Sequence, residues 1–397
     1  MSKKSPQLRF EGFTDDWEER KLSDLFIKGG SGGTPKSTNK AFYDGDIPFL
    51  GISDITKSNG FINNTEKHIS SDGLNSSAAW IVSKGAISLA MYASVGKLAI
   101  LNIDAATSQA FYNMIFDDYD LRDLVYQRLN KANELSEWNK LISTGTQSNL
   151  NADKVKNFQM YLPKNHDEIK LISTFFKQID NTIALHQRKL DLLKEQKKGY
   201  LQKMFPKNGA KVPELRFAGF ADDWEVRKLN EVSDIYDGTH QTPKYQDNGV
   251  MFLSVENIKT LTSNKFISRE AFEDEFKIRP QRGDVLMTRI GDIGTANVVE
   301  TDEDLAYYVS LALFKSEELN PYFLQASIYA PFVQDQIWKR TLHIAFPKKI
   351  NKNEIGQVPI NVPTLAEQTK IGSFFKQLDK TIALHQRKLD LLKEQKK

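Results

Sequence analysis

The chain has no cysteine, so disulfides and thiolate metal centres are excluded, which fits a reducing compartment. No apolar run approaches the roughly 18 residues that a membrane-crossing helix needs. The opening MSKKSPQLRF lacks the apolar core of a secretory leader. A cytoplasmic protein is expected. Net charge is small, +3 over 397 residues, so any nucleic-acid footprint must come from local clustering of charge. The six histidines are scattered, with no pair at metal-ligand spacing. No serine or histidine stands in a recognisable triad context. GGSGG at Gly29–Gly33 lacks the lysine and hydroxyl residue of a phosphate loop. The sequence therefore offers no catalytic residue and no metal site. What remains is a globular composition, 40% hydrophobic and 26% charged, long enough for two or more domains.

What the chain does have is repetition. TIALHQRKLDLLKEQKK occurs at Thr182–Lys198 and again, unchanged, at Thr381–Lys397. PQLRFEGFTDDWEERKL (Pro6–Leu22) returns as PELRFAGFADDWEVRKL (Pro213–Leu229), with thirteen of 17 positions identical. Fainter echoes lie between. GAISLAMYASVGKLAIL from Gly85 resembles GDVLMTRIGDIGTANVV from Gly283, with Gly85/Gly283 and Gly96/Gly294 in register. NLNADKVKNFQMYLP, ending at Pro163, parallels KINKNEIGQVPINVP, ending at Pro363. Each half thus runs opening motif, variable region, Pro-ended strand, long helix. The ends are nearly fixed and the middles have diverged. Trp17 and Trp224, which follow Asp15-Asp16 and Asp222-Asp223, read as packing anchors of the opening motif and not as parts of a metal site.

The variable regions read as mixed α and β. GDIPFLGISDI, GVMFLSVENI and the runs after Gly85 and Gly283 suggest strands. Asp120–Trp138 and Asn320–Trp338 suggest helices. The repeated segments carry apolar residues at a 3.5-residue period, the signature of a coiled-coil seam. That seam comprises Ile179, Ile183, His186, Leu190 and Leu193, and in the second copy Leu378, Ile382, His385, Leu389 and Leu392. Identical stripes pair most simply antiparallel. The expected fold is α+β, with two mixed α/β domains separated by two long antiparallel coiled-coil helices and an internal pseudo-two-fold axis. Residues 1–165 and 207–362 form the domains; 166–206 and 363–397 form the spacer helices. His186 and His385 are expected as buried polar residues that fix register. Arg188, Lys189, Lys194, Lys197, Lys198 and Lys203 read as a solvated or partner-facing surface.

Three features together resemble the specificity subunit of type I restriction-modification systems, over essentially the whole chain. They are the LRFxGFxxDWExRKL motifs at Leu8 and Leu215, the GGTPK and QTPKY loops at Gly32 and Gln241, and the KLDLLKEQKK helices. The resemblance implies that each variable region is a target recognition domain reading one half of a split DNA sequence. It implies that the helices space these domains and dock two methyltransferase subunits, which carry S-adenosylmethionine and methylate adenine. It further implies restriction/translocase subunits that use ATP and Mg, leaving no cofactor on this chain. One departure is that the second helix has, in this sequence, no counterpart of GYLQKMF (Gly199–Phe205).

Within that frame the candidates for DNA contact are the loops after the opening motif, Thr34, Lys36 and Ser37 in the first half and His240, Gln241, Thr242 and Lys244 in the second. Lys57 and Lys259 follow the next strand, and Arg289 lies in the glycine-rich run. Arg289, set beside Tyr92, suggests that the two halves differ there in base readout. Lysine would hold phosphate, while arginine, glutamine or histidine would read base edges. A different reading makes the chain a coiled-coil adaptor or structural protein whose domains bind other proteins.

Overall fold

The computed structural model describes residues 6–141 and 150–396. Outside them lie the first five residues of the opening MSKKSPQLRF, Asn149 of the Pro163 echo, and Lys397 of the helical repeat. The chain forms two compact units, Met1–His186 with Leu389–Lys397, and Gln187–Lys388.

In the first unit the opening motif supplies a strand, Glu18–Lys21, that pairs antiparallel with Gln159–Leu162 just before the long helix. Between them lies a five-stranded sheet in the order Lys28–Ser31, Phe111–Ile115, Ile87–Ala90, Leu98–Leu101, Phe61–Ile62. A four-stranded sheet is centred on Ile47–Leu50 and Ala105–Thr107, which run parallel. Ile87–Ala90 and Leu98–Leu101 are buried at every position, as strands covered on both faces must be. The helix Tyr119–Glu134 lies against the strand Leu98–Leu101 and adds Val125 and Leu129 to the core that also holds Leu89 and Met114.

The second unit repeats the plan. Glu225–Lys228 pairs with Pro359–Val362. Asp234–Asp237, Leu311–Lys315, Val285–Thr288 and Ala296–Val298 form one sheet, and Val250–Leu253 runs parallel to Leu305–Tyr307 in another. The glycines that align in sequence share a backbone reason. Gly85 and Gly283, and Gly96 and Gly294, all have positive φ, between 86° and 94°, a region closed to most side chains.

Four element readings need revision. The helix expected over Asp120–Trp138 ends at Glu134, and Trp138 lies in a separate 3₁₀ turn, Glu137–Lys140. GDIPFLGISDI is a strand only over Ile47–Leu50, after which Ile52–Lys57 turns helical, with the Asp54 carboxylate accepting from the Gly51 N–H at 2.8 Å. GVMFLSVENI likewise bends into a short 3₁₀ turn at Val255–Asn257. Asn320–Trp338 is two helices, Pro321–Tyr329 and Pro331–Arg340. Pro331 has no N–H for the first helix and a φ suited to starting the second.

The long helices span His166–Lys203, 38 residues or about 57 Å, and Leu365–Lys396. Each begins under its own opening motif. Glu168, fully buried, accepts a forked pair from Arg9 at 2.6 and 2.8 Å, and Glu367, also fully buried, accepts one from Arg216 at 2.7 and 2.8 Å. An acid in the first turn also suits the positive end of the helix dipole. In the second unit the end of the first long helix crosses the start of the second antiparallel, with Lys197 on Asp379 at 2.6 Å and Tyr200 against Phe374. In the first unit Lys396 meets Asp180, also at 2.6 Å. Of the expected seam, Leu190, Leu193 and Leu389 are buried, while Ile179, Ile183, Leu378, Ile382 and Leu392 are half-buried. His186 and His385 are half-buried too, not buried as expected. The closed layers are leucines, whose burial takes no polar group out of water, whereas closing over an imidazole would.

Candidate nucleic-acid interface

Both units break their sheet at one place. The strand Lys28–Ser31 ends at Gly32 and the strand Asp234–Asp237 ends at Gly238. Each glycine lies flush on a neighbouring strand. A Cβ on Gly32 would sit 1.9 Å from the Thr107 carbonyl oxygen, and one on Gly238 would sit 2.3 Å from that of Tyr307. The next residue then bonds back, Gly33 N–H to Thr107 at 3.0 Å and Thr239 N–H to Tyr307 at 3.1 Å. From this shared junction the chain leaves the sheet as an exposed loop.

Beyond the junction the two loops differ. In the first unit Thr34, Lys36 and Ser37 are exposed, and the Thr34 hydroxyl donates to Gln109 at 2.5 Å. In the second, His240 and Gln241 intervene, so the Thr-Pro-Lys stands two residues further from its glycine. His240, Gln241, Thr242 and Lys244 are all exposed. Beneath them a cleft of about 570 Å³ is walled by Asp237, His240, Lys277 and Tyr307. Lys259 is exposed. Lys57 is exposed but engaged by Glu66, whose hydrogen bond holds the ammonium above the ordinary lysine range.

Arg289 is the correction. It is 7% exposed, its Nε donates to the Ile350 carbonyl at 3.2 Å, and its guanidinium is bound to Asp237. A guanidinium so enclosed does not face a ligand. Its register also differs from the sequence reading. The shared glycines, and the matching bonds Arg289 N–H to Ser310 and Met91 N–H to Ala110, set Arg289 level with Met91, and Tyr92 level with Ile290. Arg289 instead ties together the end of the Asp234–Asp237 strand, the 289–294 turn and the segment ending at Ile350.

That segment is a finger which the sequence reading passed over. Leu342 N–H bonds Lys349 at 2.7 Å and Gly291 N–H bonds Lys348 at 2.8 Å, so the chain between them projects, with Ile344 and Phe346 fully exposed. His343 packs on the exposed Trp338 at 4.2 Å, with the Lys348 ammonium 4.8 Å from the same ring. Two bare apolar tips between cations and an aromatic platform form a surface suited to bases and phosphates. The signal in the sequence was HIAFPKK, an apolar pair flanked by bases.

Among the described residues, one group could gather a cation. Asp118, Asp120 and His166 place one ligand atom each within 4.8 Å of one another. Local structure accounts for it. Asp118 caps the helix at Tyr119, accepting from the Asp120 and Leu121 N–H groups, and bonds His166 at 2.8 Å. Burial works against its charge, but these bonds win and hold the carboxyl below its usual range. No helix among the described residues is long and apolar enough to cross a membrane.

Comparison with known proteins agrees with this arrangement. The family model for the type I restriction modification DNA specificity domain matches twice, at residues 14–195 and 221–394. The type I restriction enzyme MjaVIII specificity subunit of Methanocaldococcus jannaschii is 24% identical over 411 residues, covering 96% of this chain and 91% of that protein. The HindI specificity subunit of Haemophilus influenzae is 29% identical over 174 residues, 42% of this chain and 37% of its own. The crystal structure of the S subunit from M. genitalium superposes with a TM-score of 0.67 at 13% identity, covering 99% of this chain and 96% of that one. A chain from a structure of a type I restriction-modification assembly gives 0.53 at 16% identity, covering 98% and 97%. The chain therefore belongs to the type I restriction-modification specificity family, whose members supply DNA sequence specificity to the complex and are not its catalysts.

Proposed function

We propose that the chain reads a DNA target in two parts, each unit presenting its loop face to one half-site. The observation that carries this reading is the shared strand–glycine junction with unshared loops beyond it. A common frame sets each loop at the same place on its sheet, while different loops read different bases. Residues 1–165 and 207–362 are the recognition domains; 166–206 and 363–397 are the spacer helices. Lys36, Lys57, Lys244 and Lys259 take phosphate, Lys57 by giving up Glu66. Thr34, Ser37, His240, Gln241 and Thr242 lie where base edges and sugars would be met. Arg289 sets the loop and does not read.

Exchanging residues 23–150 for the equivalent region of a relative is expected to change one half of the methylated sequence and leave the other intact. Sequencing modified adenines in cells carrying the chimera checks this. Both halves changing together would sink the two-reader account. The adaptor reading is separated by salt. Duplex binding by the complex should weaken steeply with salt, and each lysine removed should lower the log–log slope by about 0.9.

The chemistry belongs to partners that act in the cytoplasm. These are two methyltransferase subunits carrying S-adenosylmethionine, and restriction/translocase subunits using ATP and Mg. Both long helices offer the same surface for them. Leu185 and Leu384 are each 66% exposed, and Leu192 and Leu391 are each 50% exposed, at identical positions of the repeat. Replacing Leu185 and Leu192 with glutamine should cost the fold little, within about 0.5 kcal/mol each as is usual at exposed sites. Native mass spectrometry of the reconstituted complex should then count one methyltransferase subunit in place of two. Two retained subunits would place the docking surface elsewhere.

A further inference from the structure

We infer that the finger between Leu342 and Lys349 is a wedge: its apolar tip enters the duplex at the second unit's half-site, parts two stacked base pairs and kinks the DNA there. This rests on the reading that each unit presents its loop face to one half-site. Ile344 and Phe346 are 99% and 103% exposed, so among the described residues nothing covers either side chain. Burying both between bases would offset the cost of parting a stacked step.

The surroundings of the tip select DNA over a protein partner. From Gln336 to Asn353 the chain carries Lys339, Arg340, Lys348, Lys349 and Lys352 and no acid. Lys339 is answered by Asp335 at 2.6 Å, but among the described residues Lys348, Lys349 and Lys352 have no carboxylate partner. An apolar point inside a cationic collar matches a base step between phosphates. The bases take the tip and the phosphates on either side take the ammonium groups. The finger is also rooted beside the reading loop. Ile350 N–H bonds the Arg289 carbonyl at 2.9 Å, the Arg289 guanidinium bonds Asp237, and Lys352 shares the cleft wall with His240 and Gln241. Its shape is set before DNA arrives, since Leu342 bridges to Lys349 and the His343 Nε2 donates to the Trp338 carbonyl at 2.9 Å.

The first unit has no such sequence at the matching place. Leu150 N–H bonds the Met91 carbonyl at 3.1 Å as Ile350 N–H bonds that of Arg289, which sets residues 142–149 level with 342–349. The former read ISTGTQSN, with no aromatic and no cation, against LHIAFPKK. The wedge therefore acts on one half-site only.

The test uses the reconstituted complex on a duplex carrying the target that methylome sequencing gives. In each half-site 2-aminopurine replaces the adenines, and pyrrolocytosine the cytosines, one at a time. Binding is expected to raise fluorescence at one step of the second half-site at least threefold. Energy transfer between dyes on the duplex ends should report a kink there of about 20–90°. Phe346→Ser should erase both signals and weaken binding at least tenfold, while melting within about 2 °C of the wild type, as is usual at exposed sites. Phe346→Leu, still apolar, should keep the kink. Extrusion of the target adenine by the methyltransferase signals as well, but persists in Phe346→Ser. No step that depends on Phe346, or one found in the first half-site, overturns the wedge. So does native mass spectrometry without DNA in which Phe346→Ser loses a methyltransferase subunit, because the finger would then dock protein. Gln241→Ala keeps the two readings apart. An unkinked duplex whose binding still depends on Gln241 fails the wedge alone, whereas a kinked duplex indifferent to Gln241 and Lys244 supports the wedge and fails the loop reading.

Discussion

Arg216→Ala is expected to destabilise the second unit by about 3 kcal/mol, the lower end of the cost of leaving one member of a buried pair uncompensated. Glu367 is fully buried at the start of the second long helix and takes both oxygens' worth of bonding from this one guanidinium. Removing it strands a carboxylate away from water. For a unit of this size the midpoint of thermal unfolding should fall by roughly 6–12 °C. Calorimetry on the intact chain measures it, and a fall of under about 2 °C, less than even 1 kcal/mol would give, would mean that water reaches Glu367 in place of Arg216. Pairing the change with Glu367→Gln should recover much of the loss, since the charge needing a partner is then gone. Arg9→Ala should be milder, because Glu168 keeps a bond from the Trp17 indole at 3.3 Å.

Arg289→Ala should act on recognition and stability together. The side chain joins Asp237, at the root of the His240–Lys244 loop, to Ile350, at the root of the finger. Cutting that tie removes charge-assisted bonds worth about 1.5–3 kcal/mol and frees both segments. Modification is expected to lose specificity across the whole half-site assigned to the second unit, with at least a tenfold loss of affinity. The first unit's half-site should stay unchanged. An arginine that read a base would behave otherwise. Its loss would relax one base pair, at about 1–3 kcal/mol, and leave thermal stability untouched. Methylome sequencing together with calorimetry separates the two. Relaxation at a single position with an unchanged melting point would return Arg289 to the reading surface.

Repetition made the plan legible. Identical helices and near-identical opening motifs pointed to two matched units, and the glycine register carried over into matched backbone. What stayed hidden was long-range. Arg9 and Glu168 are 159 positions apart, and no periodicity links a guanidinium in a loop motif to an acid in a distant helix. Both copies do carry the pair, and that recurrence is its one trace in the sequence. Arg289 misled because a cation in a glycine-rich turn looks free until tertiary packing supplies Asp237. The finger was passed over because HIAFPKK has neither a helical nor a strand period. The seam histidines were placed correctly on the stripe but too deep in it, since period alone does not report depth.

The two reciprocal ion pairs bear on how such a chain changes over generations. Lys197 with Asp379, and Lys396 with Asp180, are the same two positions with the copies exchanged. Each bridge is modest alone, yet neither copy holds both ends of its own bridge. A substitution that drifts into one helix is therefore tested against the other, and the pair is inherited as a single character. The middles face no such veto. A crossover within the verbatim stretch delivers a new reader together with the Leu365–Lys380 part of the second helix, and the bridges re-form where the incoming segment carries an acid at the position of Asp379.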